Sequence, residues 1–230
     1  MNFRTVHPQD IQNIFEGVLS IGKECAKDLM KFKIGINHVF YEFSKAWVIS
    51  ELSLHLAFCS SADSPHKIIV AETEHDGLLG FATYTASISH PTACGINYIA
   101  VRPEMRRHGI MRRFIEVIQN DFHHVSLSCD LEIVDFYLNL GFEIQSPENT
   151  QISLAINPIN AIMPILSEDG VMSHPTLADE RRRLNKVYGK KLKKLEKNYH
   201  DSKRRVEKEI TAYMERYKSA NSTKDIINQP

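Results

Sequence analysis

The stretch Ile99-Ala100-Val101-Arg102-Pro103-Glu104-Met105-Arg106-Arg107-His108-Gly109-Ile110-Met111 decides how this chain is read. A β-rich segment ends at Val101, Arg102-Pro103-Glu104 breaks it, and an arginine-rich loop follows. A helix is expected from about Gly109 to Asn120. The first turn of such a helix has N–H groups without intrahelical partners and carries partial positive charge. Gly109 has no side chain to hold a ligand off the backbone. Strand, loop and glycine-headed helix in this order suit a pyrophosphate.

Working outward, Phe3–Val6 reads as a short strand, and Pro8 stands where helices often begin. Ile11, Ile14, Phe15, Val18, Leu19 and Ile21 follow at near-helical spacing. A second helix is expected within Val39–Cys59, with Phe40, Phe43, Trp47, Leu52 and Leu56 as core contacts. Lys67–Glu74 and Leu78–Ser87 are β-rich and joined by His75-Asp76-Gly77, whose Asp-Gly pair suits a hairpin turn. Gly95–Val101 is the strand before the helix. His124–Ser128 is a further strand, followed by a helix over Leu131–Leu140 that stops at Gly141. Phe142–Gln145 and Thr150–Ile156 form a last hairpin through Ser146-Pro147-Glu148-Asn149. The order β, α, α, β, β, β, α, β, α, β, β predicts an α/β fold (α+β mixed sheet) with helices on both faces.

Composition sets outer limits. The chain has 230 residues and 43% hydrophobic residues, which excludes wholesale disorder. The longest apolar run, Ala46–Cys59, is interrupted by Glu51 and His55, so no membrane partner is expected. Met1-Asn2-Phe3-Arg4 lacks the layout of a signal peptide. Cys25, Cys59, Cys94 and Cys129 have no metal-ligand or redox spacing; they read as reduced thiols of a cytoplasmic protein without a metal site. Residues 175–230 hold 16 Lys and Arg against 8 Asp and Glu, a net of +8, which leaves −8 for the rest of a chain of zero net charge. Opposite charges suggest two structural units.

Two motifs resemble the GNAT (general N-acetyltransferase) family. Its pyrophosphate signature, Gln/Arg-x-x-Gly-x-Gly/Ala, is matched by Arg106-x-x-Gly109-x-Met111, with Met111 in place of a small residue. Its Asn-x-x-Ala-x-x-Phe-Tyr…Gly-Phe pattern is matched by Asp130-x-x-Ile133-x-x-Phe136-Tyr137 and Gly141-Phe142, with Asp130 replacing Asn and Ile133 replacing Ala. The element order extends the resemblance over residues 1–156, as a GNAT-like acyl-CoA N-acyltransferase fold. It implies acetyl-CoA as cosubstrate and an amine as acceptor. Backbone groups near Ile99 and Val101 would pair with the pantetheine arm and polarise the thioester carbonyl. The N–H groups of Arg107, His108, Gly109, Ile110 and Met111 would hold the pyrophosphate, Arg106 would add charge, and Asp130 would cap its helix beside the cosubstrate. Tyr137 would protonate the departing thiolate. Where many relatives carry a catalytic Glu, this chain has Asn97. Glu72, Glu74, His90 and Tyr98 are substitutes among which the sequence does not choose.

Residues 157–175, with Pro158, Pro164, Gly170 and Pro175, read as a linker or strap. Residues 176–220 read as a basic amphipathic helical extension with a weak point at Gly189, and 221–230 as a frayed tail. Tyr188–Tyr199–Ile210 and Leu195–Val206–Tyr217 repeat every 11 residues, which suits a nearly straight or slightly right-handed helix better than a left-handed coiled coil, though a coiled coil is among the expectations for this segment. Acidic residues interrupt its basic runs. An oligomerisation or protein-partner helix is therefore favoured over a nucleic-acid arm. The alternative to an enzyme is a GNAT-like structural or adaptor protein without activity, for example in a phage or other assembly.

Overall fold

The computed structural model describes the backbone of residues 1–227 and the side chains of residues 1–219. Among them, seven strands form one sheet: β1 (Asn2–Thr5), β2 (His66–Thr73), β3 (Gly77–Ala86), β4 (Ala93–Val101), β5 (His124–Cys129), β6 (Glu143–Glu148) and β7 (Gln151–Ile156), in the order β1-β2-β3-β4-β5-β7-β6. Every neighbouring pair is antiparallel except β4 with β5, which is parallel. Eight helices surround it: α1 (Ile11–Glu24), α2 (Ala26–Leu29), α3 (Tyr41–Cys59), α4 (Ile110–Asp121), α5 (Val134–Leu138), α6 (Glu168–Met172), α7 (Pro175–Tyr188) and α8 (Leu192–Ile227). The mixed sheet and the order of its strands along the chain are those expected from the sequence; the short helices α2 and α6 are not among the elements expected.

The sheet separates two cores. On one face, Ile14, Val18 and Ile21 of α1 and Ile49, Leu52 and Leu56 of α3 pack with Ile68, Val70, Phe81 and Tyr98. On the other, Ile110, Phe114, Ile115 and Ile118 of α4 pack with Ile69, Tyr84, Val125, Leu127 and Leu154. Period-2 alternation along β2 sends successive side chains to opposite cores, whereas β5 and β7 give alternate residues to the second core only. The α1–α3 contact is close: a Cβ on Gly22 would lie 2.5 Å from a Leu52 methyl. Helix α3 is buried on most sides, because α6 and α7 cover it from outside through Val171 and Leu177. An all-round apolar helix is what such double coverage requires.

Two local expectations are corrected. Strand β6 runs on through Ser146-Pro147-Glu148, and the turn narrows to Asn149 (φ 54°) and Thr150. Proline is tolerated there because β6 is an edge strand and its missing N–H costs no ladder bond. The helix expected over Leu131–Leu140 starts as a 3-10 turn, Leu131–Ile133, and is α-helical only over α5. Asp130 makes no side-chain cap to it. Lys33 Nζ holds that carboxylate at 2.9 Å instead.

The C-terminal part bends at Gly189 (φ 48°), where α7 ends and a 3-10 turn, Gly189–Lys191, leads into α8. Leu192, Leu195 and Tyr199 of α8 join the first core, Tyr199 lying 5.3 Å from the Phe32 ring and 5.2 Å from Phe40. Val206, Ile210, Tyr213 and Met214 join the second. The apolar stripe of α8 is thus spent on the chain's own sheet domain. The tail expected over 221–230 is helical to Ile227, and residues 228–230 lie outside the described residues.

Candidate active site

Strands β4 and β5 pair only from Ala93–His124 to Gly95–Ser126 and then part. Beyond that point β4 stays with β3 and β5 with β7, and a cleft of ≈ 1100 Å³ opens between them. The ladder decides what β4 offers to it. Arg102 N–H donates to Leu79 O, so alternate residues of β4 turn their backbone groups to β3, and Ile99 and Val101 turn theirs to the gap. The Val101 carbonyl accepts from Cys25 Sγ at 3.4 Å and from Arg106 Nε at 3.3 Å. The β3–β4 register slips between Thr83 and Tyr84, opposite Asn97. Ile99, Val101, Asn97 and Tyr98 all border the cleft.

The loop after β4 turns through Pro103–Met105, then Arg107 (φ 66°) and Gly109 (φ 75°), both left-handed, before α4 starts at Ile110. No side chain caps α4. The first intrahelical bond is Arg113 N–H to Gly109 O at 3.0 Å. The N–H groups of Ile110, Met111 and Arg112 therefore have no partner within the helix. A Cβ on Gly109 would meet no atom within 4 Å, so the space before these donors is open. Arg106, Arg107, Gly109, Ile110, Met111 and Arg112 border the cleft, and Met111 also leans on the second core. The Arg106 guanidinium bonds Asp28 at 2.8 Å, so part of its charge is already answered. His108 lies outside the cleft lining, with Nδ1 3.3 Å from Met105 O.

Opposite the cradle, Asp130, Phe136 and Tyr137 border the same cleft. Tyr137 is buried, in edge-on contact with Phe136 and Phe142. Burial pushes its phenol above the ordinary range, with Cys129 and Asp130 adding to the effect. Burial also raises the Asp130 carboxyl, and the Lys33 ammonium opposes the shift. Lys203 of α8 reaches the cleft margin.

A polar group the sequence reading passed over lies on the α3 wall. Glu51 is buried and borders the cleft. Its Oε1 accepts from Lys31 Nζ at 2.8 Å, and its Oε2 accepts from the Tyr98 hydroxyl. Burial, and then the Glu51 charge, hold the Tyr98 phenol well above its usual range. One turn along α3, His55 also borders the cleft. Thr85 Oγ1 donates to Asn97 Oδ1 at 2.9 Å and lies 2.9 Å from His66 Nδ1. His55 Nδ1 lies 3.3 Å from the same His66 nitrogen. Burial lowers the His55 pKa to about 3.

Of the other residues considered as bases, Glu72 is tied to Arg4 at 2.7 Å near the sheet edge, and Glu74 and His90 are exposed away from the cleft. Glu51 and His55 had a signal in the sequence: they are the carboxylate and the imidazole that interrupt the apolar stretch Ala46–Cys59. A carboxylate there must be buried and paired, which is where perturbed, functional groups collect. The four cysteines are buried and free, and no group of metal-ligating residues occurs among the described residues. No helix among them is long and apolar enough to cross a membrane.

Residues 64–144, from just before β2 into β6, match the family model described as acetyltransferase (GNAT) domain. The match includes Gly109, Asp130 and Tyr137 and leaves out α1–α3, β7 and α6–α8. No curated protein matches the sequence. Among solved structures, the PaiA N-acetyltransferase of Thermoplasma acidophilum in complex with coenzyme A is similar at 13% identity, covering 68% of this chain and 99% of that one, with a TM-score of 0.49. Tetrahymena GCN5 is similar at 11% identity, covering 72% and 99%, with a TM-score of 0.48. A chimera of the Vibrio cholerae spermidine N-acetyltransferase SpeG and hSSAT is similar at 16% identity, covering 68% and 95%, with a TM-score of 0.46. These identities carry no residue's role across.

Proposed function

We propose that this chain, whose residues 64–144 match the acetyltransferase (GNAT) domain, is an N-acetyltransferase that moves an acetyl group from acetyl-CoA to an amine by direct attack. The observation that carries the reading is the uncapped start of α4 behind Gly109, opening into the gap between β4 and β5. Such a terminus binds anions through backbone donors and the helix dipole. An extended thioester arm fits the gap because Ile99 and Val101 turn backbone groups into it. Acetyl-CoA, when bound, supplies the activated acetyl group.

The chain's own residues divide the remaining work. The N–H groups that open α4, those of Ile110 and Met111, hold the pyrophosphate behind Gly109, and Arg106 adds long-range charge. The β4 backbone orients the arm and polarises the acetyl carbonyl. Tyr137, kept protonated by its burial, gives a proton to the leaving sulfur. Lys33 answers the Asp130 charge, which removes a repulsion that a polyanionic ligand would otherwise meet. Phe136 and Phe142 fix the Tyr137 ring.

Calorimetric titration of the full chain with acetyl-CoA tests this. Saturable one-to-one binding and a rise in melting temperature are expected, since a ligand of the folded state stabilises it by mass action. Absence of both would overturn the reading.

A further inference from the structure

We infer that the acceptor is a small, slender primary amine that enters as its ammonium ion and docks on Glu51, and that Glu51 takes its proton. This deepens the acetyltransfer reading and rests on it.

The carboxylate itself names the ligand. Glu51 is only 8% exposed at its side chain, yet a primary ammonium already sits on its Oε1, that of Lys31 at 2.8 Å. The Lys31 side chain is 64% exposed and reaches in from solvent. Its terminus marks what this carboxylate accepts: an –NH3⁺ on an unbranched arm. An ion pair with one solvated partner contributes little. An incoming amine that brings its own packing contacts displaces it. Oε2 accepts from the Tyr98 hydroxyl, and the residue borders the cleft.

The space beside Glu51 suits a small molecule. On the α3 face, the strands present Gly95, Asn97, Ser126 and Ser153 to the cleft, a floor of small and polar groups. The chamber is bridged at both ends. Residues 157–167 cross the sheet at the level of Gly95: Ile162 O accepts from Ile88 N–H (3.0 Å) and Ser87 Oγ (2.8 Å), and Ile162 N–H donates to Ser89 Oγ (2.9 Å). Met163 then lies over Gly95, 3.3 Å from where a Cβ would be. At the other end the Thr150 hydroxyl of the β6–β7 turn donates to Lys31 O, tying the hairpin to the segment after α2. An extended polypeptide needs an uninterrupted groove across this face. A slender amine does not.

The chemistry balances. The ammonium gives one proton to Glu51. The freed nitrogen lone pair forms the N–C bond to the acetyl carbon, the C–S bond breaks, and the Tyr137 proton goes to sulfur. The nitrogen's second proton is returned through water to the Tyr137 oxygen, and Glu51 releases its proton to solvent. One ammonium and one thioester give one amide, one thiol and one proton.

Saturation-transfer NMR of the full chain with putrescine and tyramine reads the amine site directly. CoA release is measured with the same amines and with a ten-residue lysine peptide. Glu51→Gln is expected to weaken putrescine binding about tenfold, and Lys31→Ala to tighten it about threefold by removing the competing ammonium. Both variants keep wild-type affinity for acetyl-CoA, and CoA release favours the small amines over the peptide. Equal putrescine binding in wild type and Glu51→Gln overturns the inference, as does a peptide turned over as fast as the amines. Should Glu51→Gln fail to fold, unchanged or weaker binding in Lys31→Ala overturns it. The NMR readout decides the amine site independently of acetyl-CoA binding, so its failure and that of the transferase reading are separate results.

Discussion

The phenol of Tyr98 donates to the carboxylate of Glu51, so strand β4 and helix α3 are joined through two buried side chains at the cleft wall. Tyr98→Phe leaves one oxygen of a buried carboxylate short of a partner and is expected to cost about 2 kcal/mol. Glu51→Gln keeps an acceptor oxygen for Tyr98 and should cost less. Urea denaturation of the two single variants and the double variant measures the coupling. A Tyr98→Phe protein as stable as wild type would remove the pair from the account of the fold.

Tyr137→Phe is expected to lower kcat/KM by about a hundredfold or more while acetyl-CoA affinity stays near wild type. Burial raises the folded-state phenol above its ordinary 10.0, so the proton needed for the leaving group persists through the alkaline range. The wild-type rate should therefore show no loss attributable to this group below pH 10. A pH–rate profile of both proteins checks it; a Tyr137→Phe variant that turns over normally removes Tyr137 from the mechanism.

Gly109→Ala places a Cβ at φ 75°, where no protein atom obstructs it. The cost to the fold is backbone strain alone, about 1 kcal/mol. The new methyl also stands before the free donors of α4, so affinity for acetyl-CoA should fall further than stability does. Calorimetric titration beside thermal denaturation separates the two, and affinity falling no more than stability would count against the cradle.

His55 carries a pH dependence of known sign. Its folded-state pKa is lowered from 6.5 to about 3, so the unfolded chain binds the proton that the folded chain refuses. Stability from this group is whole above pH 6.5 and is lost as pH falls toward 3, with a slope of about 1.4 kcal/mol per pH unit at most. His55→Leu should flatten the acid limb of a stability–pH curve by nearly one proton, leaving the share due to His38, His66 and His174, which burial also lowers. An unchanged limb would mean that His55 is not held neutral.

Ile210 is 1% exposed in the second core although it lies in the C-terminal helix. Ile210→Ala is expected to destabilise the whole chain by about 3 kcal/mol. The unfolding midpoint should not change with protein concentration. A concentration-dependent midpoint, or a neutral substitution, would return α8 to the role of an oligomerisation helix.

The sheet was legible because its strands are short, alternating and punctuated by turn residues such as Asp76-Gly77, and the α4 cradle because a strand, Pro103 and Gly109 stand at fixed offsets. What depended on distant partners was not. Asp130 reads as a cap until Lys33, 97 positions away, is seen to hold it. Arg106 reads as a free cation until Asp28 is placed beside it. Glu51 stands out as a carboxylate in an apolar stretch, but its place on the cleft wall depends on Tyr98 and Lys31, which sequence spacing does not bring to it. The stripe of α8 reads as a surface for another protein, and no local pattern says that its partner is the same chain.

The three residue pairs that join β4 to β5 have a mechanical consequence. The sheet consists of two leaves, β1 to β4 and β5 to β6, sharing a short spine, and the leaves are otherwise braced by helices. Thermal opening is easiest along such a seam. Amide exchange at Ile99 and Val101 should accordingly be fast among β4 positions, and any molecule lying between the leaves acts as a rivet that slows it.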